Sequence, residues 1–253
     1  ESPSSAKEGN GQPQINFGAC PVDYQAEKCG TILLPLDPTN ANGRKIPIFV
    51  AHTPARQQPA TMQIWMLPGG PGDPSSECTA AFPGLSQVFP QADIYTLDHR
   101  GTAHSERLTC SAESLDSGDK SHTIAPEEAA DCVAELNAKW GDNLQHFSTT
   151  DAARDLAALI EHERKKDAKV FVVGSSAGTL WAIRYLALVD PAKKPAGVIL
   201  DSITSPSESV FDLDLGAERV FTRIGDICAA NPLCRTKLGP DPLLRMTKIL
   251  QSS

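Results

Sequence analysis

A serine between two glycines is the most chemically informative pattern in the chain. Residues 169–178 read KVFVVGSSAG, so Gly174, Ser176 and Gly178 form a G-x-S-x-G pattern. An apolar run precedes the pattern and a helical pattern follows it, which is the strand–turn–helix setting of a nucleophilic serine. The glycines leave room for a tight turn, and the start of the following helix favours developing negative charge. The pattern predicts that Ser176 is a nucleophile. The alternative is a plain glycine- and serine-rich turn.

A glycine-rich loop, MLPGGPG, occupies residues 66–72 directly after a predicted strand. A loop at this place can direct a backbone N–H group at an oxyanion. Because Pro71 has no N–H, we expect Gly70, next to Gly69, to supply one donor. Ala177, the residue after the nucleophile, is expected to supply the second. The alternative is an ordinary turn of proline and glycine.

The segment after the fourth predicted strand reads DHRGTAHS and carries several charged or basic side chains. We expect Asp98 and Arg100 to form a charge-assisted pair that ties adjacent loops together. His99 and His104 are candidate general bases, but both precede Ser176. Hydrolases with this type of serine turn place the nucleophile, the acid and the histidine in that order along the chain. We therefore predict that both histidines are structural or solvated loop residues.

Strands and helices alternate along the part of the chain that must position these residues. Apolar, β-rich runs end in turn residues, and the last four runs are short and continuously apolar, as buried parallel strands are. The alternation predicts a mostly parallel sheet with helices on both faces. The predicted strands are Thr31–Leu36, Ile46–His52, Met62–Leu67, Asp93–Leu97, Val170–Val173 and Val198–Leu200. The predicted helices are Glu127–Trp140, Asp151–Lys166 with Thr150 as N-cap, Gly178–Val189, Val210–Ile227 and Asp241–Leu250.

Composition divides the chain into three parts. Residues 1–14 are rich in serine, glycine, proline and charge, which predicts a disordered leader. Residues 15–204 hold the six predicted strands, and residues 205–253 carry only helical patterns. The chain begins with Glu1 and no apolar signal stretch precedes the first strand, so we expect a processed or trimmed product.

Charge and hydropathy argue against several kinds of partner. The 253 residues carry a formal net charge of −8, whereas nucleic acids and anionic membranes reward a basic surface. No apolar run approaches the ~18 residues of a membrane helix. Cysteine and histidine spacings typical of metal sites are absent from the sequence, and we expect no metal and no cofactor.

The seven cysteines predict a disulfide framework. Three local pairs each close a loop of polar residues, as disulfides in an oxidising compartment do, and this predicts a secreted or otherwise extracytoplasmic protein. Cys78 is left over, and buried free thiols are the alternative for the other six. The expected pairs are Cys20 with Cys29, Cys110 with Cys132, and Cys228 with Cys234.

Four segments together resemble the tripeptidyl and prolyl aminopeptidase group of α/β-hydrolases. They read LPGGPG, LDHRGTAHS, STTDAARDLAAL and VVGSSAGTLWAIRYL in this order, and the resemblance runs from about Cys29 to Cys234. The CGTILLPLD opening and the Cys228–Cys234 pair resemble the secreted tripeptidyl branch. The resemblance implies an α/β-hydrolase fold, Ser176 as nucleophile, an oxyanion hole shaped by the PGGPG loop, and a helical cap that begins near Ser205. It also implies short peptides with free N-termini as substrates.

The chain departs from this group at several places. Pro68 stands where the group usually has histidine, and Ala103 where it usually has glycine. The group's acid and histidine lie on two later strands after the cap, whereas here no histidine follows His162. We therefore expect an N-terminal portion that lacks the rest of the triad. Asp201 is expected to anchor a loop and not to serve as the acid.

Three functions remain open at this point. The first is a secreted serine exopeptidase, with a peptide as substrate and its own missing C-terminal segment as a partner. The second is an esterase or lipase on the same fold, because the serine turn serves any acyl transfer. The third is a non-catalytic protein that keeps the fold and binds a ligand or partner.

Overall fold

The computed structural model describes residues 14–113, 124–207 and 210–251, with the backbone alone for residues 210–214. The chain divides into two compact units, Glu1–Thr204 and Ser205–Ser253. Each unit is described by itself. The leader predicted over residues 1–14 lies outside the described residues except for Gln14.

Six strands form one sheet in the first unit. They are β1 (Lys28–Pro35), β2 (Lys45–Thr53), β3 (Met62–Leu67), β4 (Ala92–Leu97), β5 (Lys169–Ser175) and β6 (Gly197–Asp201). Their order across the sheet is β1-β2-β4-β3-β5-β6. β2 is antiparallel to both of its neighbours, while β4, β3, β5 and β6 are mutually parallel. The four continuously apolar runs are therefore the parallel strands, as predicted.

Helices cover both faces of this sheet. They are α1 (Ser76–Thr79), α2 (Phe82–Val88), α3 (Ala129–Trp140), α4 (Thr149–Glu163) and α5 (Ala177–Leu188). On one face Trp65 and Tyr95 pack in a core with residues of α4 and α5, and on the other Ile64 packs with Phe82 of α2. Tyr95 also stacks between Trp65 and His52. The prediction of a mostly parallel sheet between helices is confirmed.

Two details of the predicted helices are wrong. The N-cap of α4 is Ser148 and not Thr150, because the extended backbone of Ser148 lets its hydroxyl accept a hydrogen bond from the Asp151 N–H at 3.2 Å. The short helices α1 and α2 were not predicted. Their sequence, SECTAAFPGLSQV, has proline and glycine in its second half, which masks helical periodicity.

The second unit consists of three helices in its described part. They are α6 (Val210–Ala230), α7 (Pro232–Leu238) and α8 (Pro242–Gln251). α7 was not predicted; Asn231 begins it by accepting hydrogen bonds from the N–H groups of Leu233 and Cys234. The interpretation of this unit as the start of a cap stays a prediction.

Three disulfides are present, and each lies inside one unit. They join the three pairs expected from the spacing: Cys20–Cys29, Cys110–Cys132 and Cys228–Cys234. The half-buried Cys78 forms no disulfide. Burial raises the pKa of its thiol to about 11, so this thiol is protonated at neutral pH.

A buried carboxylate joins β4 to two neighbouring segments. Asp93 is fully buried and accepts a hydrogen bond from the Ala55 N–H at 3.0 Å. Lys165 forms an ion pair with it at 2.5 Å, and His52 lies 3.6 Å away. Burial acts to raise the pKa of Asp93, but the nearby His52, the ion pair with Lys165 and the hydrogen bond from Ala55 outweigh it and lower this pKa to about 2.

Asp93 is predicted to make the free energy of unfolding fall as the pH is lowered in the acid range. Its pKa is about 2 when folded and near 3.8 when unfolded, so its contribution is fully present above about pH 4. It is lost as the pH falls through about 2, at a cost of about 2 kcal/mol. Urea unfolding at pH 5 and pH 2 should show a larger loss for the wild type than for Asp93→Asn. Equal losses would contradict the assignment.

Candidate active site

Ser176 occupies a strained turn between β5 and α5. Its backbone angles are φ 48° and ψ −117°, in a region that side chains other than glycine seldom adopt. The residue is exposed. Its N–H donates to the carbonyl oxygen of Asp201 at 2.8 Å, and its own carbonyl accepts from the N–H and hydroxyl of Thr179. The turn presents the Ser176 side chain at the carboxyl end of β5, a parallel strand between β3 and β6.

The two glycines of the pattern are required by close backbone approaches. A Cβ atom on Gly174 would lie 2.4 Å from the carbonyl oxygen of Gly178. One on Gly178 would lie 2.5 Å from the carbonyl oxygens of both Leu67 and Pro68. The first contact lets α5 start directly on β5, and the second brings α5 against the loop after β3.

The PGGPG loop lies beside the serine. A Cβ atom on Gly69 would be 3.3 Å from the Cβ of Ser176. Gly70 has φ +35°, which favours glycine. Among the described residues, the N–H groups of Gly70 and Ala177 have no hydrogen-bond acceptor. The loop and the first turn of α5 therefore offer unpaired donors around one exposed hydroxyl.

Asp98 is a buried anchor beneath this loop. Its carboxylate accepts hydrogen bonds from the hydroxyl of Tyr24 at 2.8 Å, from the N–H and hydroxyl of Ser75, and from the N–H of His104. Ser75 follows the PGGPG loop by three residues. Asp98 thus holds Ser75, which follows the PGGPG loop, together with Tyr24 and the backbone of His104. All of these donors are neutral groups.

The predicted pairing of Asp98 with Arg100 is wrong. Arg100 is 1% exposed and forms a bidentate pair with Asp155 of α4, with both N···O distances at 2.7 Å. Its other N–H groups donate to the carbonyl oxygens of Pro35, Leu36 and His146. All five N–H groups are satisfied, so Arg100 ties loops together as expected but through a different carboxylate.

The two histidines of this segment have structural contacts. The Nδ1 of His99 lies 2.6 Å from the carbonyl oxygen of Arg100, and its ring packs edge-on against Trp181. Burial lowers the pKa of His99, so its imidazole is neutral at neutral pH. The exposed His104 contacts the rings of Tyr24 and Phe49. No described histidine hydrogen-bonds to the Ser176 hydroxyl.

A cavity of about 350 Å³ opens beside the serine. The PGGPG loop forms one wall and the first turns of α5 form another. Residues 99–102 and the segment that enters α4 complete it. Gly69 and Ala177, the neighbours of Ser176 in space and in sequence, both line the cavity. The side chains that give it apolar character are Pro68, Pro71, Leu108, Phe147, Leu180 and Trp181.

Two kinds of site are not found within the described residues. No group of three or more histidine, cysteine, aspartate or glutamate side chains could hold a metal ion there. No helix in those residues is long and apolar enough to cross a membrane.

Comparison with known families agrees with this geometry. The family described as alpha/beta hydrolase fold matches residues 64–227, which include the PGGPG loop, Ser176 and most of α6. The chain belongs to this family. A comparison with curated proteins finds no match.

Solved structures similar to this α/β-hydrolase are distant in sequence. A carboxyl esterase from Bacillus coagulans is 12% identical with a TM-score of 0.43, over 78% of this chain and 51% of the esterase. An epoxide hydrolase from Vigna radiata is 13% identical with a TM-score of 0.42, over 81% of this chain and 48% of that one. A variant of the N-formylmaleamic acid deformylase from Pseudomonas putida S16 is 19% identical with a TM-score of 0.38, over 73% and 55% of the two chains. The hydrolase thus spans about half the length of these structures.

Sequence reasoning missed Asp155 as the partner of Arg100. A signal was present, because Asp155 lies at helical spacing between the buried residues Ala152, Leu156 and Leu159. A carboxylate on the apolar face of a helix needs a buried partner. Tyr24 and Ser75, which bind Asp98, carried no such signal.

The glycines on either side of Ser176 lead to one prediction. Gly178→Ala should destabilise the protein by about 2 kcal/mol, because its Cβ would overlap two carbonyl oxygens and force the loop after β3 to move. Gly84→Ala is the control, since a Cβ at this exposed position of α2 meets nothing within 4 Å. Alanine there should change stability by less than about 1 kcal/mol, in the stabilising direction. Urea denaturation measures both, and equal effects would argue against the close approach.

Ala103, which stands where the aminopeptidase group usually has glycine, leads to a second prediction. Ala103 has φ 43°, in the left-handed region that glycine adopts without strain. We expect Ala103→Gly to stabilise the hydrolase by about 1 kcal/mol, opposite to the usual effect of a new glycine. Thermal unfolding should show a higher midpoint for this variant. A lower midpoint would mean that the loop gains nothing from relief of the strain.

Proposed function

We propose that this chain carries the nucleophile of a secreted serine exopeptidase that releases residues from free peptide N-termini. The observation that supports the proposal most is the exposed Ser176 at a strained strand-to-helix turn, beside the unpaired N–H groups of Gly70 and Ala177. The resemblance of the four sequence segments to aminopeptidases supplies the substrate class.

The proposed reaction proceeds through an acyl-enzyme. The Oγ of Ser176 attacks the carbonyl carbon of the peptide bond while a base takes the hydroxyl proton. The carbonyl oxygen becomes an oxyanion, which the N–H groups of Gly70 and Ala177 would bind. The leaving amine departs with a proton returned by the base. Water then cleaves the ester on Ser176 by the same steps in reverse roles.

The base and its acid partner are proposed to come from a further segment of the protein. β6 is an edge strand in a parallel sheet, and Ile199 in its centre is 57% exposed. An edge strand leaves backbone N–H and C=O groups unpaired, so this edge suits another strand. Parallel sheets are normally covered on both faces, so the exposed Ile199 also suits a covering element. Asp201 is proposed as an anchor, because its carbonyl oxygen fixes the Ser176 N–H while its exposed carboxylate contacts only the Ser202 hydroxyl among described residues.

Secretion is part of the proposal. Three disulfides between cysteines close in sequence support an oxidising compartment. The site suits esters as well as amides, so an esterase or lipase is the second candidate. A non-catalytic binding protein is the third, and the lack of a described histidine bonded to Ser176 favours it.

Residues 1–253 alone are predicted to hydrolyse peptide amides at least ~10⁴-fold more slowly than an ordinary ~10 s⁻¹, because serine without a histidine is a poor nucleophile. The further segment proposed to supply the base and its acid partner is called the downstream segment. Its addition, in the same chain or as a second chain, should restore turnover. The assay uses peptide amides with free and with acetylated N-termini, and a neutral p-nitrophenyl ester. A preference for free N-termini supports the exopeptidase, and ester cleavage alone supports the esterase.

The control for this assay is a neighbouring serine. Ser176→Ala should abolish the restored activity, whereas Ser175→Ala, one residue earlier, should keep most of it. Loss of activity in Ser175→Ala alone would overturn the choice of nucleophile. Fast turnover by residues 1–253 without the added segment would mean that a described group, with His99 and His104 as the first candidates, acts as the base.

A further inference from the structure

The cavity beside Ser176 contains one charged side chain that lacks a partner. Asp73 lines it, two residues beyond Pro71. Arg100 also lines it, but Asp155 and three carbonyl groups satisfy that guanidinium completely. The Asp73 carboxylate has no hydrogen bond or ion pair with any described residue, and His99 is neutral. Because Asp155, outside the lining, neutralises Arg100, Asp73 is the carboxylate of the lining that has no cationic partner among the described residues.

The Asp73 carboxylate lies directly against the PGGPG loop. The N–H of Asp73 donates to the carbonyl oxygen of Gly70 at 2.9 Å, which folds the chain back on itself. As a result, one carboxylate oxygen lies 1.8 Å from the position that a Cβ on Gly70 would take. A Cβ on Gly69, the residue before, would lie 3.3 Å from the Cβ of Ser176. The loop therefore has the serine close to Gly69 and the exposed, unpaired carboxylate of Asp73 close to Gly70.

This position has an electrostatic consequence for acyl transfer. A negative charge against Gly70 opposes the formation of an oxyanion on the N–H of that same residue. A cation bound to Asp73 removes the opposition. Phe147 and Trp181 also line the cavity, and aromatic rings attract cations.

We propose that this cavity is a binding subsite for a primary ammonium group and that Asp73 is its counter-ion. The proposal rests on the proposed function for its meaning, because the ammonium would belong to a peptide whose carbonyl carbon Ser176 attacks. The group is either the N-terminal amine of the peptide or a lysine side chain. In both cases Asp73 makes the site select charged over neutral ligands.

Binding measurements test the subsite without requiring catalysis. Isothermal titration at pH 7 and low salt uses three peptides: trialanine amide, its N-acetyl form, and an N-acetylated peptide amide with a C-terminal lysine. Trialanine amide should bind about fivefold more tightly than its acetylated form, as expected for one partly exposed ion pair. Tight binding of the lysine peptide would identify the side chain as the source of the ammonium, and weak binding would identify the N-terminus.

Matched variants make the test specific. Asp73→Asn keeps the shape of the side chain and should remove the fivefold ratio. Glu77→Gln, an exposed carboxylate of α1 outside the cavity, should retain it. Raised salt should shrink the ratio in the wild type. An unchanged ratio in Asp73→Asn, with an unchanged unfolding midpoint, overturns the proposal.

The subsite and the proposed function can fail separately. Ser176→Ala should keep the binding ratio, because the hydroxyl plays no part in ammonium binding. Hydrolysis of the neutral p-nitrophenyl ester in the presence of the downstream segment tests Ser176 without any amine. Suppose that the binding ratio is lost in Asp73→Asn but that ester hydrolysis is unchanged in Ser176→Ala. This result would retain the subsite and reject the hydrolase mechanism. The reverse result would reject the subsite alone.

Discussion

The bidentate pair between Arg100 and Asp155 is the constraint on which the site depends. A guanidinium with all five N–H groups paired and 1% exposure cannot lose a partner without leaving a buried charge or donor unsatisfied. Through it the loop after β4 is fixed to α4, to the end of β1 and to His146. The neighbours of these anchor points, including Gly101, Phe147 and Thr149, line the cavity. The buried ion pair therefore fixes this part of the cavity lining.

Close backbone contact is the second constraint, and it acts on other residues of the cavity lining. Gly174 and Gly178 let β5, α5 and the loop after β3 approach one another more closely than any side chain would permit. Ser176 lies between these two glycines, and its φ of 48° makes it the strained residue of the turn. The ion pair and the turn act on different segments, and residues of both line the cavity together with the PGGPG loop. Asp98 holds that loop from below through Ser75 and Tyr24.

The fold could be predicted from the sequence because the signals for its strands and for the serine turn are local. Continuous apolar runs predicted the parallel strands, and G-x-S-x-G between a strand and a helix predicted the turn at Ser176. The partners of Asp98 and Arg100 could not be read in the same way, since Tyr24 and Asp98 are 74 positions apart and Arg100 and Asp155 are 55 apart. A charged residue reveals that it needs a partner but not which one. The N-cap of α4 was misplaced for a related reason: Ser148, Thr149 and Thr150 are all good caps, and only backbone geometry distinguishes them.

The disulfides have a different relation to the fold from these buried contacts. They span only 9, 22 and 6 residues along the chain, and none of them links the two units. Short loops gain less from cross-linking than long ones in the chain-entropy description. In the first unit, strand pairing and the Arg100–Asp155 pair both connect segments much further apart. Reduction would therefore release only short cross-linked segments, while strand pairing and the Arg100–Asp155 pair keep the sheet and the serine turn assembled.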